Sequence, residues 1–557
     1  MITRRRLLLE SLPAAALTTG VAAPSSSTCA AASPPRGKAP FRVLYSNDAT
    51  NITSCTSPWR KKGEPLRKEM IEATVDETAG TGVEAHFLQP GLGMVPMWPS
   101  KVIPLKEHYA WIKEKYGTGP DSFGNFVLRG GDVVQVFLDR CKLRNLAAFI
   151  SIRMNDAHHK ERSGFGPKDK AGTSIGMSVT RYYVEHPEYW LKPKSERGLD
   201  LVQNWAEREV RAQKFALLTE LCENYDLGGL ELDFMRIYNY FRPEETKSAQ
   251  RREIMTTFVK DVRALLDRTA RNGKRRWLCT RVPAIQKAMD PMGLDLPDMV
   301  AAGLDMVTLS VSYFTAPQQM ELAAIRASIP DVMVYQELCH SIWNGTKLTP
   351  GYDTFTFRRT TREQYQTAAH LAFARGLDGV CAFNFAYYRE HGGPGRGPFH
   401  EPPFEVFAHL GDRAWLAAQP QHWFLAPGWN NPFVRPPLLP RKVEPGQETR
   451  FTLDLAPPVK DGVKGWPPEA KARLRLQLDA ENHTGVWRAL LNGNALESSA
   501  DVSEPFANPY PSMLGTPGQM RAWTVPTALL KDGRNEVRFV LESGEPVEIE
   551  YVDLGVS

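Results

Sequence analysis

From about residue 40 to 420 the chain alternates short apolar runs with amphipathic stretches. The runs are 41–46 "FRVLYS", 83–89 "VEAHFLQ", 146–153 "LAAFISIR", 229–236 "GLELDFMR", 276–282 "RWLCTRV", 306–314 "MVTLSVSYF", 332–338 "VMVYQEL" and 379–388 "GVCAFNFAYY". Between them lie segments with helical periodicity, such as "NWAEREVRAQKFALLTELCENY" and "RREIMTTFVKDVRALLDRTARN". Eight strands, each followed by a helical segment, predict a (β/α)8 TIM barrel over 40–420. The competing doubly wound sheet would want a glycine-rich phosphate loop after the first strand, and "SNDATNITS" is not one.

A final helix is expected over 404–419, then a Pro-rich linker over 421–446. Beyond it, "TRFTLDL", "ARLRLQLD", "VWRALLNG", "NEVRFVLE" and "VEIEYVDLGV" alternate apolar and polar positions between turn signals. Residues 447–557 therefore read as a small β-sandwich, the accessory all-β domain of an α/β chain. Its pattern resembles galactose-binding-like sandwiches that accompany glycosidases, and both a structural and a glycan-binding role fit that likeness.

The 557 residues carry a net charge of only +5, and no basic block concentrates it, so nucleic acid is not an expected partner. The first 32 residues combine "TRRRLLLES", a modest apolar region and "CAAAS", which predicts a twin-arginine-like signal and a periplasmic or secreted product. No later apolar run is long enough to span a membrane. Cysteines at 29, 55, 141, 222, 279, 339 and 381 form no C-x-x-C pair, so neither a metal framework nor a disulfide scaffold is indicated, and no cofactor is expected. Nothing in the sequence sets the oligomeric state.

The fourth run holds two carboxylates where a buried strand would carry aliphatics. Alternation sends Leu230, Leu232 and Phe234 toward the helices and Glu231, Asp233 and Met235 into the barrel mouth. Asp233 lies nearer the C-terminal end, where sites of this fold are built. Glu337, at the end of the seventh run, is the candidate partner carboxylate, and Glu231 a group that tunes or orients Asp233. A structural pairing of Glu231 with Arg153 or Arg281 is the plainer alternative, and Glu337 could equally serve as an orienter. Candidate substrate-binding residues are Asp48, Arg153, Asn155, Asp156, His158, His159, Arg236, Arg281, Tyr313, Asn384, Tyr387 and Arg389. The arginines among them, with lysines in the long loop over 155–200, suggest an anionic glycan.

The passage "WAEREVRAQKFALLTELCENYDLGGLELDFMR" resembles the helix-to-strand-4 segment of glycosyl-hydrolase-like barrel families. The opening "VLYSNDATNITSCTSPWR" is similar to that of secreted family-10-like members. The resemblance implies a barrel acting on carbohydrate with the strand-4 aspartate, here Asp233, in the active site. Glycoside hydrolysis generally needs two carboxyl groups, and the likeness implies Asp233 as the acid and Glu337, on the seventh strand, as the base or nucleophile. It leaves the sugar open. Two other readings stay in play: a non-catalytic carbohydrate-binding barrel, and a metal-dependent hydrolase built on Asp48, His158 and His159.

Overall fold

The computed structural model describes residues 38–557 apart from 62, 159–172, 193–199, 272, 313, 344–356, 390–400, 428–437 and 510–514. The expected signal segment, His159 and Tyr313 lie outside the described residues. Eight parallel strands close into a barrel: β1 (Val43–Asp48), β2 (Ala85–Gln89), β3 (Ala147–Arg153), β4 (Gly229–Asp233), β5 (Trp277–Pro283), β6 (Met306–Ser310), β7 (Met333–Cys339) and β8 (Gly379–Phe383). Helices such as Lys68–Asp76, Arg208–Asn224, Ser248–Arg268 and Arg362–Ala374 surround it.

Strand alternation separates two apolar surfaces. Ile150, Ile152, Leu230, Leu232, Leu278, Val307, Leu309, Val334 and Val380 face the helices in the main core. Leu44, Ala85, Phe87, Phe149, Cys279, Met306, Tyr335 and Cys381 fill the lower barrel. Phe87 and Phe149 stack there at 4.2 Å. Gly229 makes that stack possible, because a Cβ on it would stand 2.3 Å from the Phe149 ring.

Register decides which side chains share a level. Asp48 pairs with Gln89. Continuing the ladders through Ser151, Glu231, Cys279, Met306, Met333 and Leu377 returns to the first strand at Pro40, eight residues before the start. A shear of eight places alternate strands in common layers. Ser46, Ser151, Arg281 and Glu337 form one layer. Gln89, Asp233, Ser310 and Phe383 form the layer above it, and Glu231 lies in the layer below.

Three strands stop earlier than the hydrophobic runs do. β4 ends at Asp233, β6 at Ser310 and β8 at Phe383. Met235 therefore does not project into the mouth; it is buried in the main core. The segment over 404–419 is a 3-10 turn at Phe404–His409 followed by a short helix at Arg413–Ala417.

The C-terminal residues form two antiparallel sheets. One runs in the order 421–425, 547–556, 472–478, 520–525 and 497–499; the other runs 448–455, 533–543, 486–491 and 494–495. The strand at Gln421–Leu425 belongs to the first sheet, so the linker expected from 421 begins with sandwich structure. This unit packs on helix Arg362–Ala374. Gln364 Nε2 donates to Tyr551 Oη at 3.1 Å, and His422 N to Thr367 Oγ1 at 2.7 Å. Arg375 grips Asp454, and the Arg358 guanidinium lies 3.9 Å over the Tyr551 ring.

Candidate active site

The upper barrel layers assemble one hydrogen-bonded network from six strands. Arg281 is its centre. Its Nη1 donates to Asp233 Oδ1 at 3.1 Å, its Nη2 to Glu337 Oε1 at 2.9 Å, and its Nε to Glu337 Oε2. The guanidinium also lies 3.8 Å from the Phe383 ring centroid. Asp233, Glu231 and Glu337 have no exposed surface, and Arg281 only 3 %. Buried charges of this kind are tolerated only when paired. Here two carboxylates are bound by one cation, whose charged form they strengthen against burial.

Asp233 accepts two further hydrogen bonds, from Gln89 Nε2 at 2.6 Å and from the Met235 backbone N–H at 2.9 Å. Three donors and no acceptor address its oxygens, an arrangement suited to an ionised carboxylate. Glu337 also receives Ser310 Oγ at 2.6 Å. Burial nevertheless outweighs the opposing pull of Arg281 and holds its pKa above the ordinary carboxylate value.

Glu231 meets neither Arg153 nor Arg281 directly. Ser151 Oγ donates to its Oε1 at 2.7 Å, and the Cys279 thiol lies 3.6 Å from its Oε2. Burial first, and the charge of Asp233 second, raise its pKa from the ordinary 4.5 to about 7. A path runs from Glu231 through Ser151 and Gln89 to Asp233, since Gln89 Nε2 also reaches Ser151 Oγ at 3.2 Å.

Above this network a second arginine spans two carboxylates. Arg153 binds Asp48, and its Nη1 donates to Asp156 Oδ2 at 3.1 Å. Burial opposes ionisation of Asp48, but Arg153 and Thr50 overcome it and hold the pKa low. His158 follows. Its Nδ1 is 2.7 Å from Asp156 Oδ1, and its Nε2 is 3.0 Å from Arg236 Nη2. Arg236 can only donate, so Nε2 accepts and Nδ1 carries the proton. Burial, with Arg236 adding to it, lowers the His158 pKa, in keeping with a neutral ring.

Three expected binding residues have other duties. Asn155 Nδ2 donates to the Gln203 and Asn239 carbonyls, each at 2.9 Å, and so ties two loops together. Arg389 is held by Glu77 and Glu401, both at 2.6 Å, outside the network. Asn384 adopts a left-handed φ of 51° and uses its Oδ1 to accept from Asp48 N at 3.1 Å. Tyr387 stands at the rim, its Oη 3.0 Å from Thr50 Oγ1. Arg153, Arg281 and Arg389 are each compensated by two protein carboxylates, so they lend no weight to an anionic glycan.

Both ring nitrogens of His158 are engaged by protein partners. Among the described residues no group of three His, Cys, Asp or Glu side chains could hold a metal ion. The six described cysteines are buried. No described helix is long and apolar enough to cross a membrane.

Sequence reasoning missed Gln89, Ser151, Ser310 and Lys214. The first three are neutral and carry no chemical signature in a strand; only barrel closure brings them together. Lys214 reaches in from helix Arg208–Asn224, where Nζ donates to the Gly93 and Arg153 carbonyls. Its burial lowers its pKa from 10.5 to about 8.

No family model matches the chain, and no curated protein does. Solved structures that align with the chain include a maltogenic α-amylase from Thermotoga neapolitana, 12% identical, covering 91% of this chain and 98% of that one at a TM-score of 0.34. An α-L-fucosidase from Vibrio sp. strain EJY3 is 10% identical, with 92% and 96% covered and a TM-score of 0.36. A catalytic domain of a group II chitinase from Ostrinia furnacalis is also 10% identical, with 67% and 96% covered and a TM-score of 0.37. Likenesses this remote carry no argument about this chain, whose barrel rests on its own strand pairing.

Proposed function

We propose that the protein is a glycoside hydrolase acting on a poly- or oligosaccharide, with Asp233 and Glu337 as its carboxylate pair. The observation that carries this reading is their meeting on the Arg281 guanidinium, at the C-terminal end of the barrel. Hydrogen bonding does not separate the two roles, since Arg281 and Ser310 bring three donors to Glu337 as well; burial of Glu337 favours a reversal of the roles expected from strand position. Asp233 suits the ionised base or nucleophile. Glu337, whose proton affinity burial raises, suits the acid. Glu231, one layer below, would hold a proton near neutral pH and reach Asp233 through Ser151 and Gln89. The reading takes residues 1–32 as an export signal, which would deliver the enzyme to glycan in the periplasm or outside the cell.

The test is release of reducing ends from a panel of glycans, followed by Asp233→Asn and Glu337→Gln. An acid is dispensable when the leaving group is good. Glu337→Gln should therefore retain turnover of activated aryl glycosides and lose it on natural linkages, whereas Asp233→Asn should lose both. Equal loss in both variants on both substrate types would refute the assignment. One observation favours a second reading, a barrel that binds glycan without cleaving it: the carboxylates have no exposed surface. Glycan binding by the unaltered protein with no turnover would identify that case.

A further inference from the structure

In the upper barrel the charged side is fully engaged. Arg281, Asp233, Glu337, Ser310 and Ser151 all have partners. On the adjoining β1–β2 side two buried polar atoms have none among the described residues: Ser46 Oγ and Gln89 Oε1. Ser46 is fully buried and Gln89 is 1 % exposed. Both project inward, as the alternation with Leu44 and Phe87 in the lower barrel requires. They sit on neighbouring strands in successive layers, Ser46 level with Arg281 and Glu337, Gln89 level with Asp233.

The amide orientation of Gln89 is set by its neighbours. Nε2 lies 2.6 Å from Asp233 Oδ2, and exchanging the two amide atoms would press an oxygen against a carboxylate. Oε1 must therefore turn away from Asp233, still within the barrel. An enclosed carbonyl oxygen and hydroxyl group left without partners are costly, and native interiors satisfy such groups with a protein group or an ordered molecule. A carbonyl oxygen can only accept, so the guest must bring a hydrogen to donate.

We propose that Ser46 and Gln89 hold one hydroxyl group beside Asp233, from a water molecule or from a sugar, and that Gln89 is a positioning residue for Asp233. Gln89 serves both purposes at once: Nε2 orients the carboxylate, and Oε1 orients the hydroxyl next to it. The catalytic part of the proposal rests on the glycoside hydrolase reading; the binding part does not.

A high-resolution crystal structure of the full chain tests the binding part. It should show one ordered water within about 3.2 Å of both Gln89 Oε1 and Ser46 Oγ. Two protein partners for these atoms, or no density between them, would overturn the proposal. Gln89→Met should lose this water while keeping the barrel intact. Crystals of Asp233→Asn soaked with a cleaved oligosaccharide separate the two sources: a sugar hydroxyl replaces the water, or the water stays beneath the sugar. For the positioning part, Gln89→Met should lower kcat by about tenfold or more with KM little changed. Gln89→Glu sets a second carboxyl group against Asp233 and should move the acid limb of the pH profile by about one unit or more. An unchanged kcat and pH profile would remove the positioning role. If the unaltered protein turns over no glycan, the hydrolase reading fails while the density test still decides the site.

Discussion

Asp233 and Glu337, which stand on strands separated by two others, accept hydrogen bonds from the same guanidinium, that of Arg281. The pairing sets two carboxylates at a fixed spacing inside a barrel that would otherwise repel them. It also makes them interdependent, because a change to the shared cation reaches both.

Arg281→Met should accordingly do more than delete an ion pair. It would leave two buried carboxylates without their cation, and breaking a buried pair in this way costs about 3–5 kcal/mol. Equilibrium denaturation should show that loss, and activity should fall with it. A variant as stable as the parent would mean that Arg281 contributes little to holding the site.

Glu231 ties stability to pH. Its pKa is raised from 4.5 to about 7, so between those values the folded protein keeps a proton that the unfolded chain has released. Stability from this group is complete below pH 4.5 and is lost as the pH rises through 7, a change of about 3 kcal/mol. Asp48 and Asp156, whose pKa values are lowered, act in the opposite sense. The difference between parent and Glu231→Gln isolates the Glu231 contribution. Glu231→Gln should be relatively more stable at pH 8 than at pH 5, by denaturant titration at each pH. A difference that does not vary with pH would show that Glu231 does not titrate in this range.

The barrel and the sandwich were legible from hydrophobic alternation, because both sheets bury regular faces. Glu231, Asp233, Arg281 and Glu337 were legible for the complementary reason, as charges at inward positions where aliphatics belong. What sequence spacing lacks is the shear of the closed barrel, which makes Gln89 a neighbour of Asp233 although 144 residues separate them. Two expected binding residues take partners outside the network for a shared reason. Asn155 and Arg389 lie near strand ends, but their partners come from loops and a helix whose approach no local pattern encodes. Met235 failed because the strand ends at Asp233, just where the Asp233 side chain caps the Met235 backbone N–H.

The sandwich should unfold together with the barrel. Its surface is joined to helix Arg362–Ala374 by buried hydrogen bonds, and Arg358 reaches from the segment after β7 to Gln477 and the Tyr551 ring. Calorimetry should show one transition. Arg358→Ala should lower its midpoint, since a desolvated cation–π contact is worth about 2 kcal/mol and Gln477 would lose its partner as well. Two separate transitions in the parent would instead mark a tethered module, and would favour an independent glycan-binding role.

The loop after β2 offers a way to disturb the upper site without touching any charge. Gly93 has φ of 88°, and a Cβ there would lie 2.8 Å from the Arg153 carbonyl oxygen and 3.0 Å from the Arg153 Cβ. Lys214 fastens the same two residues by donating to both carbonyls. Gly93→Ala therefore imposes a left-handed conformation on a residue with a side chain, at about 1–2 kcal/mol, and adds a clash with backbone that has little room to retreat. The relief available is displacement of Arg153, which spans Asp48 and Asp156. Gly93→Ala should thus lower stability by more than the conformational cost alone and weaken glycan turnover. Gly93→Ala combined with Lys214→Met should cost less than the sum of the two single changes, because both act on one contact. Strict additivity in a double-mutant cycle would show that the loop and Arg153 are not coupled through it.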